Sequence, residues 1–346
     1  MTTTGEGPPP NHRSDWLALD IGGANLKAAD GCGWCHSEPF ALWQAWRELP
    51  QALSRILTLH PADRLAVTMT GEIADCFTDR ADGVHRIVAS CVEAAAGRPV
   101  WIYSLDGPLV GPAEAVAQPL AVAAANWHAL ARLAGSLVPA GRGLLLDVGS
   151  TTIDLVPLAA SQPRPRGRTD WQRMAVGELI YMGVERTPVP ALVRSLPYRG
   201  SRLPVASECF ATARDAWLTL GGLPERPQDR ATADGGPATR AAARTRLART
   251  MLLEPADCSD ADAQRAANWI AEVQCRRLAA AIRGQLDDSE QITTVIISGH
   301  GNPLAEQALT RVDGSIAVSS LAHSLGADIA RVGPAHALAL IARGEL

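Results

Sequence analysis

The sequence predicts an α/β fold made of two related domains. The chain has 346 residues, which is enough for two domains that each bury a core of their own. Two segments, one near residue 16 and one near residue 144, share a strand–Asp-x-Gly–strand pattern. A third apolar segment at 292–297 runs into the glycine-rich string SGHGN before a predicted helix. These three segments, with helical periodicity between them, predict the α/β class.

The clearest of the three segments is Leu144–Leu158, which reads LLLDVGSTTIDLVPL. Its two apolar runs flank a turn of small residues, so it predicts a β-hairpin with a polar tip. The tip offers a carboxylate, hydroxyl groups and backbone N–H groups, and its glycine lets a phosphate approach the backbone closely. A carboxylate repels a bare phosphate, which favours a metal ion between the two.

The segment Trp16–Asp30, which reads WLALDIGGANLKAAD, repeats this design at an offset of 127 residues. The aligned pairs are Asp20 and Asp147, Gly22 and Gly149, Asn25 and Thr152, and Lys27 and Asp154. Either tip alone is typical of an ordinary turn. The two together predict a duplicated domain with one phosphate-binding loop in each half.

Periodicity and turn residues predict the remaining elements in order. Helices are predicted at 40–59 (with Pro50 interrupting or starting it), 84–96, 118–137, 207–220, 240–253, 260–285 and 335–342. Further strands are predicted at 64–70, 100–105 and 316–318. We place the first domain at 15–140 with a C-terminal helix at about 334–346, the second at 141–333, and a disordered tail at 1–14.

Composition excludes several classes of protein. The net charge of -4 implies no general nucleic-acid-binding surface. No run of 18 uncharged apolar residues occurs, so no membrane span is expected. Residues 1–14 have no apolar core and do not resemble a signal peptide. The odd number of cysteines, seven, favours reduced thiols and a cytoplasmic location.

Cys32, Cys35 and His36 form the string C-x-x-C-H, which is typical of haem attachment. Haem attachment requires export, and the sequence shows no export signal. A redox pair or a zinc site is the second interpretation. A turn that contains two thiols is the favoured one, and the role of these residues stays open.

Other polar residues are weaker candidates. Glu72 and Asp75 follow the predicted strand 64–70, where open α/β sheets place ligands, but acids there also suit the first turn of a helix. Asn126 within the alanine-rich helix either lines a cleft or faces water. Four arginines could bind an anion, although a solvated loop is the favoured interpretation; they are Arg164, Arg166, Arg168 and Arg173.

Three strings resemble motifs of the superfamily that contains sugar and acetate kinases, heat-shock chaperone ATPases and actin. They are DIGGANLK (20–27), DVGSTTID (147–154) and ISGHG (297–301). The resemblance implies two ribonuclease-H-like domains of the actin and sugar-kinase type around a central cleft. It also implies a set of phosphate-binding residues, which are Gly22, Gly23, Asn25, Lys27, Gly149, Ser150, Thr151, Thr152, Gly299 and Gly301.

The strings TGEIADCF (70–77) and GELIYMGVERTPV (177–189) narrow the resemblance. The chain is similar to a hydantoinase/oxoprolinase-related branch associated with tetrahydromethanopterin-linked one-carbon metabolism. This resemblance implies a transferase of methanofuran biosynthesis that joins an aminomethyl-furanmethanol diphosphate to a phenol oxygen and releases diphosphate. The acceptor is of the γ-glutamyltyramine or tyrosine type.

The implied reaction gives the candidate residues roles. Asp20 and Asp147 would hold Mg²⁺ at the departing diphosphate. Asp154, Glu178 or Glu72 would accept the phenolic proton, and the choice among them stays open. Glu72 and Arg186 are also candidates for binding the substrate. For Arg186 the reason is that arginines suit the carboxylates of the acceptor.

Two other functions remain open at this point. The first is an ATP-dependent kinase or a hydantoinase/oxoprolinase-like amidohydrolase, and the second is a nucleotide-gated sensor. ATP fits the superfamily but is not favoured, because the implied reaction consumes a substrate diphosphate. We therefore expect two small-molecule partners, the diphosphate and the phenolic acceptor, with no nucleic acid and no membrane. Homo-oligomerisation stays open.

Overall fold

The computed structural model describes residues 14–107, 109–138, 140–287, 292–312 and 316–346. Residues 1–13 of the predicted disordered tail lie outside these described residues. Ser14, the last residue of that predicted tail, is instead the first residue of strand β1 (Ser14–Ile21).

The chain divides into two compact units. Of the described residues, those up to Gly143, Val156–Gln172 and Ser319–Leu346 form the first unit, and those of Leu144–Leu155 and Arg173–Val318 form the second. These units differ from the predicted division at 140 and 333 chiefly in residues 156–172 and 319–333, which belong to the first unit.

The first unit contains a six-stranded mixed sheet in the order β3-β2-β1-β4-β5-β6. The strands after β1 are β2 (Asn25–Ala29), β3 (Cys35–Pro39), β4 (Ala62–Met69), β5 (Val100–Tyr103) and β6 (Leu109–Val110). The predicted hairpin is present, since β1 and β2 are antiparallel with Asp20 opposite Lys27. Strand β4 lies parallel to β1 on its other side. The loop between β1 and β2 is thus beside the carboxyl end of β4.

Two predicted helices of this unit are broken in the structure. The helices are α1 (Leu42–Ala45), α2 (Leu49–Leu59), α3 (Arg80–Ala95), α4 (Pro112–Ala117), α5 (Pro119–Val122) and α6 (Asn126–Ser136). The predicted helix 40–59 is broken by a 3-10 turn at Trp46–Glu48, and Pro50 lies in the first turn of α2. The predicted helix 118–137 is broken because Ala124 adopts a φ of 47°, in the left-handed region. Asn126 consequently begins α6.

The second sheet has the order β10-β8-β7-β13-β14, with β9 paired to β8. Its strands are β7 (Arg142–Val148), β8 (Ile153–Ala159), β9 (Gln162–Pro163), β10 (Leu179–Ile180), β13 (Thr294–Gly299) and β14 (Ala317–Ser320). A separate two-stranded ribbon joins β11 (Ser195–Tyr198) to β12 (Ser201–Pro204).

The helices that follow are α7 (Asp170–Ala175), α8 (Val189–Leu192), α9 (Ala213–Leu220), α10 (Arg240–Thr250), α11 (Asp260–Asp287), α12 (Asn302–Leu309), α13 (Leu321–Leu325), α14 (Ala327–Arg331) and α15 (Gly333–Ala342). Helix α9 begins at Ala213, not at residue 207 as predicted, because Thr212 and Asp215 form a capping box there. Helix α15 packs on β1 and β4, where Leu338 is fully buried.

Candidate active site

The two Asp-x-Gly turns close with the same backbone hydrogen bond. Gly22 N donates to Asn25 O at 3.0 Å, and Gly149 N donates to Thr152 O at 2.9 Å. These residues are the aligned pairs of the repeat found in the sequence. The two hairpin tips therefore share one turn geometry as well as one pattern of residues.

A glycine that follows a neighbouring strand contacts each tip. Gly71 N donates to Ile21 O at 3.0 Å, and Gly301 N donates to Val148 O at 3.0 Å. The residues Ile21 and Val148 are also separated by the repeat offset. The string TGE after β4 in the first unit thus corresponds to the string GHG after β13 in the second.

Asp20 lies at the centre of the first tip and is only 2% exposed. Its Oδ2 lies 3.5 Å from Lys27 Nζ, and its Oδ1 accepts a hydrogen bond from Asn126 Nδ2 at 3.5 Å. Burial raises the pKa of the Asp20 carboxyl, while Lys27 and Asn126 act in the opposite direction without cancelling this effect. Lys27 is the only lysine of the sequence.

Glu72 lies in the turn after β4 and is fully buried. Asp75 lies in the same turn and is exposed. The interpretation of these acids as residues of a helical first turn is wrong, because α3 begins only at Arg80 and is capped by Asp79. Burial raises the pKa of Glu72 to about 7, against the opposing effects of nearby backbone amides and Arg80.

Close backbone approaches shape the second tip. A Cβ added to Gly183 would lie 2.3 Å from the carbonyl carbon of Ser150, so the chain of the GELIYMGVERTPV string touches the turn directly. Gly299 has a φ of 84°, and a Cβ there would lie 2.9 Å from Asp147 Oδ1. Glycine is required at both positions, which brings Asp147, Ser150 and the glycine-rich turn after β13 together.

Asp154 is held by an arginine that is itself buried. Arg173 Nη1 lies 2.8 Å from Asp154 Oδ1, and Arg173 Nη2 donates to Glu178 O at 3.0 Å. The Arg173 side chain is 1% exposed, so it is neither a solvated residue nor part of an exposed anion-binding loop. The other arginines of that loop, Arg164, Arg166 and Arg168, are exposed, as the solvated-loop interpretation expects.

Glu178 itself precedes β10 and is fully buried. Arg186 is exposed, and its backbone N donates to Ser150 O at 2.9 Å. Next to Arg186, Glu185 pairs with His300 of the glycine-rich turn at 3.3 Å. Burial alone would raise the pKa of Glu185, but the His300 contact and two arginines lower it overall.

The sequence left Asn126 open between a cleft and solvent, grouped Arg173 with a loop favoured as solvated, and gave no role to the Glu185–His300 pair. Asn126 carried a signal, because an asparagine is unfavourable inside an alanine-rich helix. The pairing of Arg173 with Asp154 had no local signal.

The carboxylates of the two tips suit one class of metal ion. Within residues 14–107, 109–138, 140–287, 292–312 and 316–346, no group of three or more His, Cys, Asp or Glu side chains is placed to hold a metal ion. Mg²⁺ is commonly bound by one or two carboxylates together with the phosphates of a substrate. Each tip offers one such carboxylate, Asp20 in the first unit and Asp147 in the second, and a cation would offset the cost of burying an ionised Asp20.

The C-x-x-C-H string lies at the turn into β3. Cys32 is exposed and Cys35 is half-buried, and both are free thiols. His36 Nε2 lies 3.1 Å from Glu38 Oε2. None of the helices in the described part of the chain is long and apolar enough to cross a membrane.

The fold places the chain in a known structural class. It is similar to nucleotide-free acetone carboxylase, with a TM-score of 0.54, 10% identity, and coverage of 94% of this chain and 70% of that chain. It is also similar to a ROK family glucokinase from Streptomyces griseus in complex with glucose and AMPPNP, with a TM-score of 0.50, 12% identity, and coverage of 95% and 99%. The chain thus has the two-domain α/β fold of the sugar kinases, as predicted.

Residues 63–330 match the family described as hydantoinase/oxoprolinase, and the chain belongs to this family. The predicted membership is confirmed. Two curated relatives carry the name (4-{4-[2-(gamma-L-glutamylamino)ethyl]phenoxymethyl}furan-2-yl)methanamine synthase. The relative from Methanocaldococcus jannaschii is 29% identical over 95% of this chain and 98% of its own length. The relative from Methanococcus vannielii is 25% identical over 59% of this chain and 91% of its own length. Both relatives are synthases, and this chain is an enzyme.

Proposed function

We propose that the protein is a biosynthetic transferase that joins an aminomethyl-furanmethanol diphosphate to the phenol oxygen of a γ-glutamyltyramine or tyrosine-type acceptor. The reaction belongs to the formation of methanofuran-type cofactors. The observation that carries the proposal is the similarity to a synthase of this name along 95% of the chain. The two matched Asp-x-Gly tips supply the phosphate-binding groups that such a reaction needs.

The bond changes in this reaction are simple. The bond between the furfuryl carbon and the diphosphate oxygen breaks, and its electron pair leaves with the diphosphate. A bond forms between that carbon and the phenol oxygen, which gives up its proton. Because the furan oxygen stabilises positive charge on the carbon, the main task of the enzyme is to stabilise the departing diphosphate.

Residues of the two tips suit that task. Backbone N–H groups around Gly22, Gly23 and the string Gly149–Thr152 would donate to phosphate oxygens. Lys27 would add a positive charge beside Asp20, from which it is 3.5 Å distant. Asp20 and Asp147 would hold Mg²⁺, which neutralises developing charge on a leaving diphosphate when it is bound.

The test is a turnover assay with purified protein and Mg²⁺. The furfuryl diphosphate is supplied with either acceptor type, and ATP is supplied in a separate reaction. We expect release of diphosphate in equal amount with the ether product, seen by mass spectrometry, and no consumption of ATP. ATP hydrolysis without ether formation would replace the proposal with a kinase-like or amidohydrolase activity.

Asp20→Asn is the matched test of the first tip, with Asp15→Asn as its control. Asp15 is exposed at the start of β1, whereas Asp20 is buried at its end. We expect Asp20→Asn to reduce ether formation by about 10²-fold or more, since a charged ligand of the Mg²⁺ that would stabilise the leaving diphosphate is lost. Equal activity of the two variants would exclude a role for Asp20 in the reaction.

A further inference from the structure

The buried acid Glu72 is anchored next to the first phosphate loop. The preceding residue, Gly71, donates its N–H to Ile21 O at 3.0 Å. A Cβ on Gly71 would lie 3.2 Å from Gly22 O, so the two backbones touch. Glu72 is thus one residue away from a direct contact with the loop that begins at Asp20.

The fold holds Glu72 in place without giving its carboxyl group a hydrogen bond of normal geometry. A Cβ on Gly83, inside α3, would lie 2.1 Å from the backbone oxygen of Glu72, so the helix packs tightly against this turn. Both carboxylate oxygens are buried, and neither accepts a hydrogen bond of normal geometry from the described residues, although the backbone amides of Glu72 and Ala124 lie near enough to lower the pKa. A buried polar group without a partner costs about 1–3 kcal/mol, so such a group in a folded protein calls for an explanation.

Two other candidate acids are already engaged. Asp154 is paired with the buried guanidinium of Arg173 at 2.8 Å. Asp20 contacts Lys27 and Asn126, each at 3.5 Å. The oxygens of both acids are thus already engaged by side chains of the protein.

We propose that Glu72 is the base that accepts the phenolic proton of the acceptor, an inference that rests on the proposed transferase function. The phenol oxygen forms its bond to the furfuryl carbon, and its proton passes to a Glu72 oxygen, directly or through one water molecule. General bases act by both of these routes. Ile73, the next residue in the chain, is 54% exposed, whereas Glu72 itself is fully buried.

The electrostatic surroundings of Glu72 suit this role. Burial raises its pKa to about 7, which leaves a large ionised fraction at neutral pH together with a strong affinity for a proton. The charged groups that face it are Arg80 of α3, which lowers the pKa, and Asp170 of α7, which raises it. These two residues are paired with each other, so their effects largely oppose.

The test compares Glu72→Gln with the wild type across a series of acceptors whose phenols differ in acidity. With an ordinary phenol of pKa near ~10, we expect kcat/KM to fall by about 10²- to 10⁴-fold. With a fluorinated phenol that is ionised at the assay pH, no base is needed, and we expect the loss to shrink to less than about tenfold. The wild type should also lose kcat/KM as the pH falls below about 7, and the variant should lack this limb.

Two control variants separate Glu72 from its neighbours. Asp75→Asn alters an exposed acid of the same turn. It should leave unchanged both the dependence of kcat/KM on the acidity of the phenol and its dependence on pH. Glu178→Gln tests the competing base. If Glu178→Gln shows the rescue by acidic phenols and Glu72→Gln does not, the assignment to Glu72 is overturned.

The failure of this assignment differs from the failure of the proposed function. If the wild type forms no ether with any phenol, the transferase proposal fails. If the wild type forms ether and Glu72→Gln loses the same factor with every phenol, Glu72 is a structural acid and the assignment alone fails. Circular dichroism and the urea midpoint of each variant establish that the loss is not due to unfolding.

Discussion

The guanidinium of Arg173 lies 2.8 Å from Oδ1 of Asp154, with the arginine 1% and the aspartate 14% exposed. This pair joins the hairpin strand β8 to the segment that leads into β10, because Arg173 Nη2 also donates to Glu178 O. Asp154 occupies the place that Lys27 takes in the first repeat. The two repeats therefore share a turn, but the strand after the turn carries a lysine in the first repeat and an aspartate in the second.

We expect Asp154→Ala to lower the free energy of unfolding by about 3–5 kcal/mol, because it leaves the Arg173 charge buried without its partner. Arg173→Met should cost less, since Asp154 retains some contact with water and Glu178 O still accepts from Leu155 N. The double variant should cost less than the sum of the two. Urea unfolding of the three variants measures this coupling.

The control for this cycle is Arg168→Met. Arg168 pairs with Asp106, but both side chains are more than half exposed. Exposed pairs contribute about 0–1 kcal/mol, so the variant should unfold near the wild-type midpoint. A strictly additive Asp154/Arg173 cycle would mean that the two charges do not stabilise each other.

The turns and the hairpins could be predicted from sequence because their determinants are local. Asp20, Gly22 and Asn25 lie within six residues of one another, and the same spacing recurs at Asp147. The contact between Asn126 and Asp20 joins residues 106 positions apart. No periodicity or turn signal specifies such a contact, since it depends on how α6 packs against the sheet.

Backbone irregularities set a second limit on prediction. The alanine-rich segment 118–137 favours one continuous helix by propensity, but Ala124 adopts a left-handed conformation that costs about 1 kcal/mol. That break makes Asn126 the first residue of a new helix and directs it to Asp20. Intrinsic propensity could not predict the break, because tertiary packing overrides it here.

Gly183→Ala tests whether activity depends on the close contact between the second tip and the GELIYMGVERTPV segment (177–189). A Cβ at Gly183 would lie 2.3 Å from Ser150, so the turn must shift. A displacement of about 1 Å in positioning groups costs about 10²-fold in rate, and we expect a loss of that size in kcat/KM.

The matched control is Gly284→Ala, in the exposed part of α11, where a Cβ meets nothing within 4 Å. This variant should keep its activity and gain slightly in stability, because alanine favours a helix by about 1 kcal/mol over glycine. Retention of full activity by Gly183→Ala would show that the turn tolerates displacement.

The single lysine provides a specific probe of the first tip. Reductive methylation with a ¹³C label modifies Lys27 and the terminal amine only, because no other lysine occurs in the sequence. We expect the Lys27 methyl resonance to shift when Mg²⁺ and diphosphate are added, since the ammonium would exchange its contact with Asp20 for a phosphate oxygen. Lys27→Arg identifies the resonance by removing it.

Lys27→Met should weaken diphosphate binding by about 10- to 10²-fold, because a charge-assisted hydrogen bond contributes about 1.5–3 kcal/mol. Lys27→Arg, which keeps the charge, should weaken it less. Isothermal titration with diphosphate and Mg²⁺ gives the three dissociation constants. If the Lys27 resonance does not shift and Lys27→Met leaves the dissociation constant unchanged, diphosphate does not bind at Lys27.

Glu72 also predicts how stability depends on pH, independently of any activity. Its pKa is about 7 in the folded protein and near 4.5 when the chain is unfolded. The folded state therefore binds the proton more tightly, and the contribution of this group to stability is present below about pH 4.5 and is lost as the pH rises through about 7. The shift corresponds to about 3 kcal/mol over the whole window.

Glu72→Gln removes this titration. The free energy of unfolding of the variant minus that of the wild type should therefore rise by about 2–3 kcal/mol from about pH 5 to about pH 8. Urea unfolding at both pH values measures the difference, and the buried amide adds only a constant offset that cancels in the comparison. Asp75→Asn changes an exposed acid of the same turn. Its free energy of unfolding should vary with pH as that of the wild type does across this range. If the free energies of unfolding of Glu72→Gln and the wild type depend on pH in the same way, burial does not raise the pKa of Glu72. The pKa would then no longer support Glu72 as the base.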